Sequence, residues 1–514
     1  MTDINYSKIK EFKIGGKNIF LFLKNMPYYE DKDTIIMGFP YNLKGADINE
    51  KNIFSIKGYY TCLKISDKAL TVINDIFGNY RMYYMCKDNN IFISDDFLTL
   101  YNILNINERI PDYFNIRYWQ KHRYFTGEGS CIKCIKKFKP AHITTFSASE
   151  IQEKLYFKNV ENCPNRKQLF NDILCDLRDT VSCLKKIPLT KVLLFSGGTD
   201  STLIVKLLQE QDIDFIPVFI RFNPLNSMNY DDLLKANYAA NILGIKIKEI
   251  VIDNSKKLPN DIIDIMFTDR AMAKMLFFAI EKIRQEFGEN IIILNGQASD
   301  SIFNFGPTDT TFGDYISRQL MFDYKSWQNR LLLYILHSFR TRYKNNKLPK
   351  TEEEFLLSFF DNNAYKCLID SSNSKEFNKQ CLDIIKTYSL PLSSKFSLLM
   401  YLKIFGFLQG SDNYMPVQAC EYNKIKTIFL FATPNIIYSV TKNTDYKFEI
   451  LHPKSVIYDI LKKVYNYKMP NVKKEPNYKD QILKQLPIRQ FEEESYYVYY
   501  DKFRTLEFAE KVEI

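Results

Sequence analysis

A glycine turn between an apolar run and an amphipathic segment constrains this chain most. Residues 191–208, KVLLFSGGTDSTLIVKLL, place the run KVLLF directly before Ser-Gly-Gly and a helix-forming segment directly after it. A short apolar run bounded by turn residues is typical of a buried strand, and glycine permits backbone conformations that other residues resist. The stretch therefore predicts a strand, a tight turn and a helix.

The same alternation continues along the chain. FIPVFIRF, KIKEIVI and NIIILNG are strand-like, and STLIVKLLQEQ and DDLLKANYAANILG between them have helical spacing. Strands that alternate with helices predict a doubly wound parallel sheet of the α/β class, with a largely helical extension after it.

The beginning of the chain has a different pattern. Short alternating stretches such as NIFLFLK and RMYYMC, separated by turn residues, predict a mostly antiparallel β-rich domain. The polar stretch FKNVENCPNRKQ is typical of a linker. We therefore predict one domain over residues 1–155 and a second over residues 165–514.

Composition excludes several classes of protein. The chain has 514 residues and a net charge of +10, with lysines spread along it rather than clustered, which argues against nucleic acid as the main partner. No apolar run is long enough to span a bilayer, and the N-terminus lacks the apolar segment of a signal peptide. We expect a cytoplasmic protein that binds neither nucleic acid nor membrane.

The residue types in the glycine turn suit a phosphate group. Ligands of open parallel sheets bind beyond the carboxyl ends of the strands, and a helix N-terminus there offers unpaired N–H groups to an anion. Ser196 and Ser201 add hydroxyl donors, while Gly197 and Gly198 allow close backbone approach. Asp200 would repel phosphate unless a cation lay between them, and Mg²⁺ is bound by carboxylate and phosphate oxygens together.

The turn is not a Walker loop, because G-x-x-x-x-G-K-[ST] is absent. It resembles the Ser-Gly-Gly-x-Asp-Ser motif of ATP pyrophosphatases. Gly296-Gln297-Ala298-Ser299-Asp300 looks like the Gly-x-Gly-x-Asp-Glu segment of the asparagine synthetase family, which includes β-lactam synthetases and lasso-peptide cyclases. The resemblance implies that Asp200 and Asp300 share Mg²⁺ and that ATP is cleaved to AMP and pyrophosphate.

Weaker matches extend the resemblance over most of the chain. NDIFGNYRMYY and FISDDFLTLY resemble the N-terminal class II glutamine amidotransferase-like domain of this family, which has an Ntn-type fold. ILHPKSVIYDILKKV and SDNYMPVQACEY are similar to helix-flanking loops of the synthetase domain. MPNVKKEPNY resembles its lysine-bearing loop, which makes Lys474 or Lys473 the candidate catalytic cation.

The chain departs from the family at the amine-supplying steps. Glutamine-dependent members carry a cysteine at position two, whereas this chain has Thr2 and its first cysteine is Cys62. The glutamine-holding Arg-Gly and Asn-Gly motifs are also missing, which predicts a glutaminase-deficient member with a degenerate first domain. Gln297 and Ser301 replace acids of the family pattern, so the base that accepts the proton of the amine stays open.

The resemblance therefore predicts an ATP-dependent ligase that adenylates a carboxylate and lets an amine attack the acyl-AMP. Intramolecular lactam or macrolactam closure in natural-product or peptide biosynthesis is favoured, with a precursor peptide and its protease as candidate partners. The alternatives are intermolecular amidation of a sugar or amino acid carboxylate, a tRNA- or nucleoside-modifying ATP pyrophosphatase, and a degenerate nucleotide-binding scaffold. The predicted ATP contacts are Leu194, Phe195, Ser196, Gly197, Gly198, Asp200, Ser201, Val218, Gly296 and Gln297.

Overall fold

The computed structural model of the chain describes a large part of the sequence. The described residues are 8–14, 16–43, 48–116, 125, 127–223, 227–253, 271–304, 326–328, 331 and 375–469. Within these ranges no helix combines the length and the apolar character needed to cross a bilayer.

Two β-sheets occupy the first part of the chain. One has the strand order β1-β2-β8-β7-β9 and the other β11-β10-β6-β5-β4-β3. Neighbouring strands pair antiparallel except β2 and β8, which run parallel. The strands are β1 Lys8–Ile14, β2 Lys17–Leu23, β3 Tyr29–Glu30, β4 Thr34–Phe39, β5 Tyr59–Ile65, β6 Ala69–Asn74, β7 Tyr83–Lys87, β8 Asn90–Ser94, β9 Lys136–Lys137, β10 His142–Ser147 and β11 Ile151–Leu155.

These strands form because apolar residues alternate along them. In β2, KNIFLFL, the residues Ile19, Leu21 and Leu23 are buried while their neighbours are half-buried, as expected for side chains that point alternately to opposite faces. Helix α1, Phe97–Ile103, follows β8 and is capped by Asp96, whose carboxylate accepts from the Thr99 N–H at 2.9 Å. The predicted antiparallel β-rich region is thus confirmed, and the parallel β2–β8 pair was not predicted.

The second part contains a five-stranded parallel sheet in the order β14-β13-β12-β15-β16. All four strand pairings are parallel, which confirms the predicted doubly wound α/β class. Its strands and their helices are β12 Thr190–Leu194, β13 Phe215–Asn223, β14 Lys248–Asp253, β15 Ile291–Asn295, β16 Lys426–Phe429, α2 Arg166–Leu184, α3 Thr199–Glu210, α4 Ser227–Leu243, α5 Ala271–Phe287 and α6 Ser299–Phe303.

The order of the strands fixes where a ligand can bind. The chain proceeds outward from β12 through β13 to β14, then returns to the other side of β12 at β15. Such a reversal is a topological switch point, and the crevice outside the carboxyl ends of the two central strands is the usual ligand site. The turns after β12 and β15 both open at this crevice.

Mostly helical structure follows the parallel sheet. The elements are α7 Lys375–Ser389, α8 Lys395–Lys403, a π-helix Ile404–Asp412, α9 Tyr414–Tyr422, α10 Pro434–Asn443, α11 Tyr446–Leu451 and α12 Ser455–Lys463. The predicted helical extension is therefore present. Helix α4 begins at Ser227 rather than at Asp231, where the helical spacing of DDLLKANYAANILG suggested it, so Asp231 lies inside the helix.

The two parts of the chain are joined by buried polar contacts. The ammonium group of Lys57, which is 2% exposed, lies 3.0 Å from the Asp176 carboxylate of α2. Tyr59 of β5 donates its hydroxyl to Glu421 at 2.7 Å. The guanidinium of Arg81 donates to the Gln409 carbonyl at 2.8 Å. The N-terminal sheets and the parallel-sheet region are thus packed together, while the exact domain limits of 1–155 and 165–514 stay predictions.

Candidate active site

The turn after β12 is shaped by its two glycines in different ways. Gly197 has φ +68, and a Cβ there would lie 2.6 Å from the Cα of Ala236 in α4. Gly198 has φ −73 and is the N-cap of α3; its added Cβ would meet only the Ser196 hydroxyl, at 3.3 Å. Gly197 is therefore required by helix packing, whereas Gly198 leaves the backbone open beside the turn.

Helix α3 presents its N-terminus at the switch point. Its first intrahelical bond runs from the Thr202 N–H to the Gly198 carbonyl at 3.0 Å, and the Ser201 hydroxyl donates to the same carbonyl at 3.2 Å. The N–H groups of the first turn have no acceptor within the helix, and together with the helix dipole they favour an anion. Ser196 is exposed at the mouth of this turn.

The turn after β15 packs directly against the first one. A Cβ added at Gly296 would lie 2.9 Å from the Cβ of Asp200, so only glycine fits beside that aspartate. Ala298 takes a left-handed conformation with φ 72, and the short helix α6 begins immediately after it. The parallel pairing of β12 with β15 therefore brings Asp200 and Asp300 to one place, as the family resemblance implies.

The two aspartates meet at a lysine. The Nζ atom of Lys454 lies 2.6 Å from Oδ2 of Asp200 and 2.7 Å from Oδ1 of Asp300. The side chains of Lys454 and Asp200 are 13% and 17% exposed, whereas that of Asp300 is 67% exposed. One ammonium group thus bridges an enclosed carboxylate and an accessible one.

A serine fixes the other oxygen of Asp200. The Ser299 hydroxyl donates to Oδ1 of Asp200 at 2.8 Å, while Oδ2 accepts from Lys454. Both oxygens are therefore bonded, which fixes the carboxylate plane. Ser299 itself is fully buried at the start of α6, so this contact is shielded from water.

The charges in this cluster shift each other's protonation. Burial raises the pKa of Asp200 above its usual range, and the ammonium of Lys454 opposes that shift. Burial lowers the pKa of Lys454, but the carboxylates of Asp200 and Asp300 outweigh it, so its pKa is raised overall. Lys454 therefore carries its charge at neutral pH.

The donor set suits Mg²⁺. The carboxylate oxygens of Asp200 and Asp300 converge on a single cation, the Lys454 ammonium, and oxygen is the ligand type that Mg²⁺ takes in proteins. The described residues contain no group of three or more His, Cys, Asp or Glu placed to hold a metal. A Mg²⁺ ion here would have to complete its shell with phosphate and water oxygens, as is usual for nucleotide-bound magnesium.

A buried lysine, Lys403, supports α6. Lys403, at the end of α8, donates to the Ser301 carbonyl at 3.1 Å and to the Asn304 carbonyl at 3.4 Å. A cation near the last carbonyls of a helix is favourable, and α6 spans only Ser299–Phe303. Lys403 thus ties the helix that carries Asp300 to the helical region after the parallel sheet.

The predicted adenine contacts lie on the central strands. The Phe195 N–H donates to the Val218 carbonyl at 2.8 Å, so these two backbone groups are already paired. Both side chains are buried, whereas Leu194 is half-buried. The Gln297 N–H donates to Oδ1 of Asn295 at 3.0 Å. The roles of these residues in ATP binding remain predictions.

The predicted and observed lysines differ. Lys473 and Lys474 lie outside the described residues. Lys454, which the sequence analysis did not single out, lies in the HPKS stretch before α12. The local signal is a lysine at the start of an amphipathic helix, and nothing in that signal points to Asp200, which is 254 residues away.

A comparison with known protein families found one match, which covers part of the chain. The sequence model of the asparagine synthase family matches residues 183–413. The matched segment is somewhat less than half of the chain, and it is similar to an asparagine synthase domain. The resemblance read from the two motifs is thereby confirmed, and Asp200, Ser299 and Asp300 all lie within the matched segment.

Solved structures similar to this chain include an NMN synthetase from Francisella tularensis, with 18% identity and a TM-score of 0.19 over 29% of this chain. This chain spans 61% of that enzyme. A U34-tRNA thiolase, NcsA, from Methanococcus maripaludis has 16% identity and a TM-score of 0.22 over 45% of this chain and 78% of its own. A comparison with curated proteins found no match.

Proposed function

We propose that the protein is an ATP-dependent ligase that activates a substrate carboxylate as its acyl-adenylate, releases pyrophosphate, and lets an amine attack the activated acyl group. The observation that carries the proposal is the meeting of Asp200 and Asp300 at one cation beside the N-terminus of α3. Within a segment similar to an asparagine synthase domain, that arrangement suits a magnesium-bound nucleotide cleaved between its α and β phosphates.

Each part of the crevice has a role in this proposal. The first-turn N–H groups of α3 and the exposed Ser196 hydroxyl bind phosphate oxygens. Asp200 and Asp300 would hold Mg²⁺, which would supply charge neutralisation on the leaving pyrophosphate. Ser299 holds Asp200 in orientation. Lys473 or Lys474 is the proposed cation near the α phosphate.

The amine does not come from glutamine in this proposal. Cys62, the first cysteine of the chain, lies fully buried within β5, so it cannot serve as an N-terminal nucleophile. Thr2 lies outside the described residues. We therefore favour an amine of the same substrate molecule, which makes the product a lactam or macrolactam and makes a precursor peptide with its protease the proposed partners.

The test is exchange of labelled pyrophosphate into ATP, because exchange requires the acid but no amine. The full chain with Mg²⁺, ATP and a panel of carboxylic acids and peptides should show acid-dependent exchange and should form AMP. Asp200→Asn and Asp300→Asn should each lose activity by at least about 100-fold, as expected when charge stabilisation of the transition state is removed. Asp232→Asn, on the exposed face of α4, is the matched control and should keep full activity.

Three results would count against the proposal. Release of ADP and phosphate would exclude cleavage at the α phosphate, and full activity in Asp200→Asn would exclude the metal pair. Nucleotide binding without exchange for any acid would favour the degenerate scaffold instead. Once an acid is found, the mass of the product identifies the source of the amine. A product lighter than the substrate by one water indicates ring closure, and a product that contains a second molecule indicates intermolecular amidation.

A further inference from the structure

Lys454 occupies the position between the two carboxylates. Its ammonium nitrogen is within hydrogen-bond distance of Oδ2 of Asp200 and Oδ1 of Asp300. A Mg²⁺ ion bound by these same oxygens would lie at about 2.0–2.1 Å from each. The ion and the ammonium group would then occupy the same space and carry charges of the same sign. The two cations therefore exclude each other at this site.

The backbone of Lys454 is held firmly. Its N–H donates to the Phe303 carbonyl at 3.3 Å, at the end of α6, and its own carbonyl accepts from the N–H groups of Ile457 and Tyr458 at 3.0 and 3.1 Å. The residue has a left-handed φ of 58 at the N-cap of α12, a conformation that persists only where surrounding structure imposes it. Only the flexible four-carbon side chain is free to carry the charge elsewhere.

The energetic balance depends on what else is bound. Without nucleotide, a divalent cation could bind Asp200 and Asp300 only by displacing the Lys454 ammonium group. The displaced ammonium group would then need another anionic partner in a largely enclosed place. A polyphosphate at the N-terminus of α3 supplies negative charge for both cations at once. Nucleotide and metal should therefore enter together.

We propose that Lys454 is an internal counter-ion for the Asp200–Asp300 pair, which keeps free divalent cations out and admits the metal only together with the anionic polyphosphate. The proposal rests on the proposed function for the identity of the metal pair. It assigns to this lysine an order of binding that neither the family match nor the sequence motifs contain. On this proposal the protein binds magnesium only as the metal–nucleotide complex.

The test measures metal binding rather than turnover. Mn²⁺ binding to the full chain is followed by electron paramagnetic resonance, with and without α,β-methylene ATP, which cannot be cleaved between its α and β phosphates. The wild-type protein should bind Mn²⁺ weakly alone and at least about tenfold more tightly with the nucleotide analogue. Lys454→Met should bind Mn²⁺ alone at least about tenfold more tightly than the wild type does.

Three further variants control the test. Lys462→Met removes an exposed lysine from the same helix and should behave as wild type. Lys454→Arg keeps the positive charge and should also exclude free Mn²⁺. Adding Asp200→Asn to Lys454→Met should abolish the gained binding, because the gain requires both carboxylates. Circular dichroism melts identify the folded variants, and Lys454→Gln replaces Lys454→Met if the latter does not fold.

Equal Mn²⁺ affinity of the wild type and both neutral variants, in the absence of nucleotide, would overturn the counter-ion role. The outcome is separate from that of the ligase proposal. Tighter Mn²⁺ binding in Lys454→Met, without any pyrophosphate exchange by the wild type, supports the counter-ion role and excludes the ligase proposal. Pyrophosphate exchange by the wild type, together with unchanged Mn²⁺ binding in Lys454→Met, supports the ligase proposal and excludes the counter-ion role.

Discussion

Substitution of Gly197 by alanine tests why the turn after β12 requires glycine there. The new methyl group would lie 2.6 Å from both the Cα of Ala236 and the carbonyl oxygen of Lys235. These are backbone atoms of α4, so they cannot move out of the way as a side-chain end can. The residue would also keep a left-handed φ of +68, which costs a non-glycine residue about 1 kcal/mol or more.

The expected loss can be estimated from these two effects. Overpacking against a fixed neighbour typically costs about 1–3 kcal/mol, and the conformational cost adds about 1 kcal/mol. We expect Gly197→Ala to lower the free energy of unfolding by about 2–4 kcal/mol. Urea denaturation followed by circular dichroism measures it as a lower midpoint with an unchanged slope.

The adjacent glycine provides the matched control. Gly198 has an ordinary φ of −73, and its added methyl group would meet only the Ser196 hydroxyl at 3.3 Å. Gly198→Ala should therefore cost less than about 1 kcal/mol, close to the cost of losing glycine at an N-cap. Equal destabilisation of the two variants, or no effect at Gly197, would refute the packing argument.

Three other predictions concern different parts of the molecule. Ser299→Ala removes the hydroxyl that orients Asp200 and should raise the Mg²⁺ concentration for half-maximal pyrophosphate exchange by about tenfold or more; an unchanged Mg²⁺ requirement contradicts the role. Burial lowers the pKa of the His142 imidazole to about 4. As the pH falls from about 6.5 to 4, the imidazole is therefore protonated in the unfolded chain but not in the folded one, and the free energy of unfolding decreases. The stability difference between wild type and His142→Gln should therefore change by about 3 kcal/mol between pH 7 and pH 4, and a constant difference in urea titrations would exclude this. Lys57→Met leaves the buried Asp176 carboxylate without its cation and should cost about 3 kcal/mol; a thermal melt equal to that of the wild type argues against it.

The sequence predicts local and periodic features of this fold well. KVLLF, the glycine turn and the helix after it form as expected, because each depends on neighbouring residues. The convergence of Asp200 and Asp300 also follows, since the carboxyl ends of adjacent parallel strands meet at one edge. The pattern predicts that both strands belong to one parallel sheet but not that they are neighbours, and the structure places β12 and β15 side by side.

Other features depend on contacts that no local pattern encodes. Lys454 reaches Asp200 only because α12 begins where α6 ends, through the bond from Lys454 to the Phe303 carbonyl. The parallel pairing of β2 with β8 joins residues far apart in the chain, such as Ile19 and Ile91. Alternation does not predict it, because the pattern is the same in parallel and antiparallel strands with one buried face. Lys473 and Lys474 stay predictions.

The buried contacts between the N-terminal sheets and the rest of the chain have an evolutionary consequence. In the proposed function no glutamine is hydrolysed, so the N-terminal sheets would have no catalytic role. Deleting these sheets, however, would remove Lys57 from the buried Asp176 carboxylate, leaving only the uncharged donors Thr433 and Asn435, and would remove Arg81 from the Gln409 carbonyl. Selection for the proposed ligase activity would then preserve both parts of the chain, because each part loses buried contacts without the other.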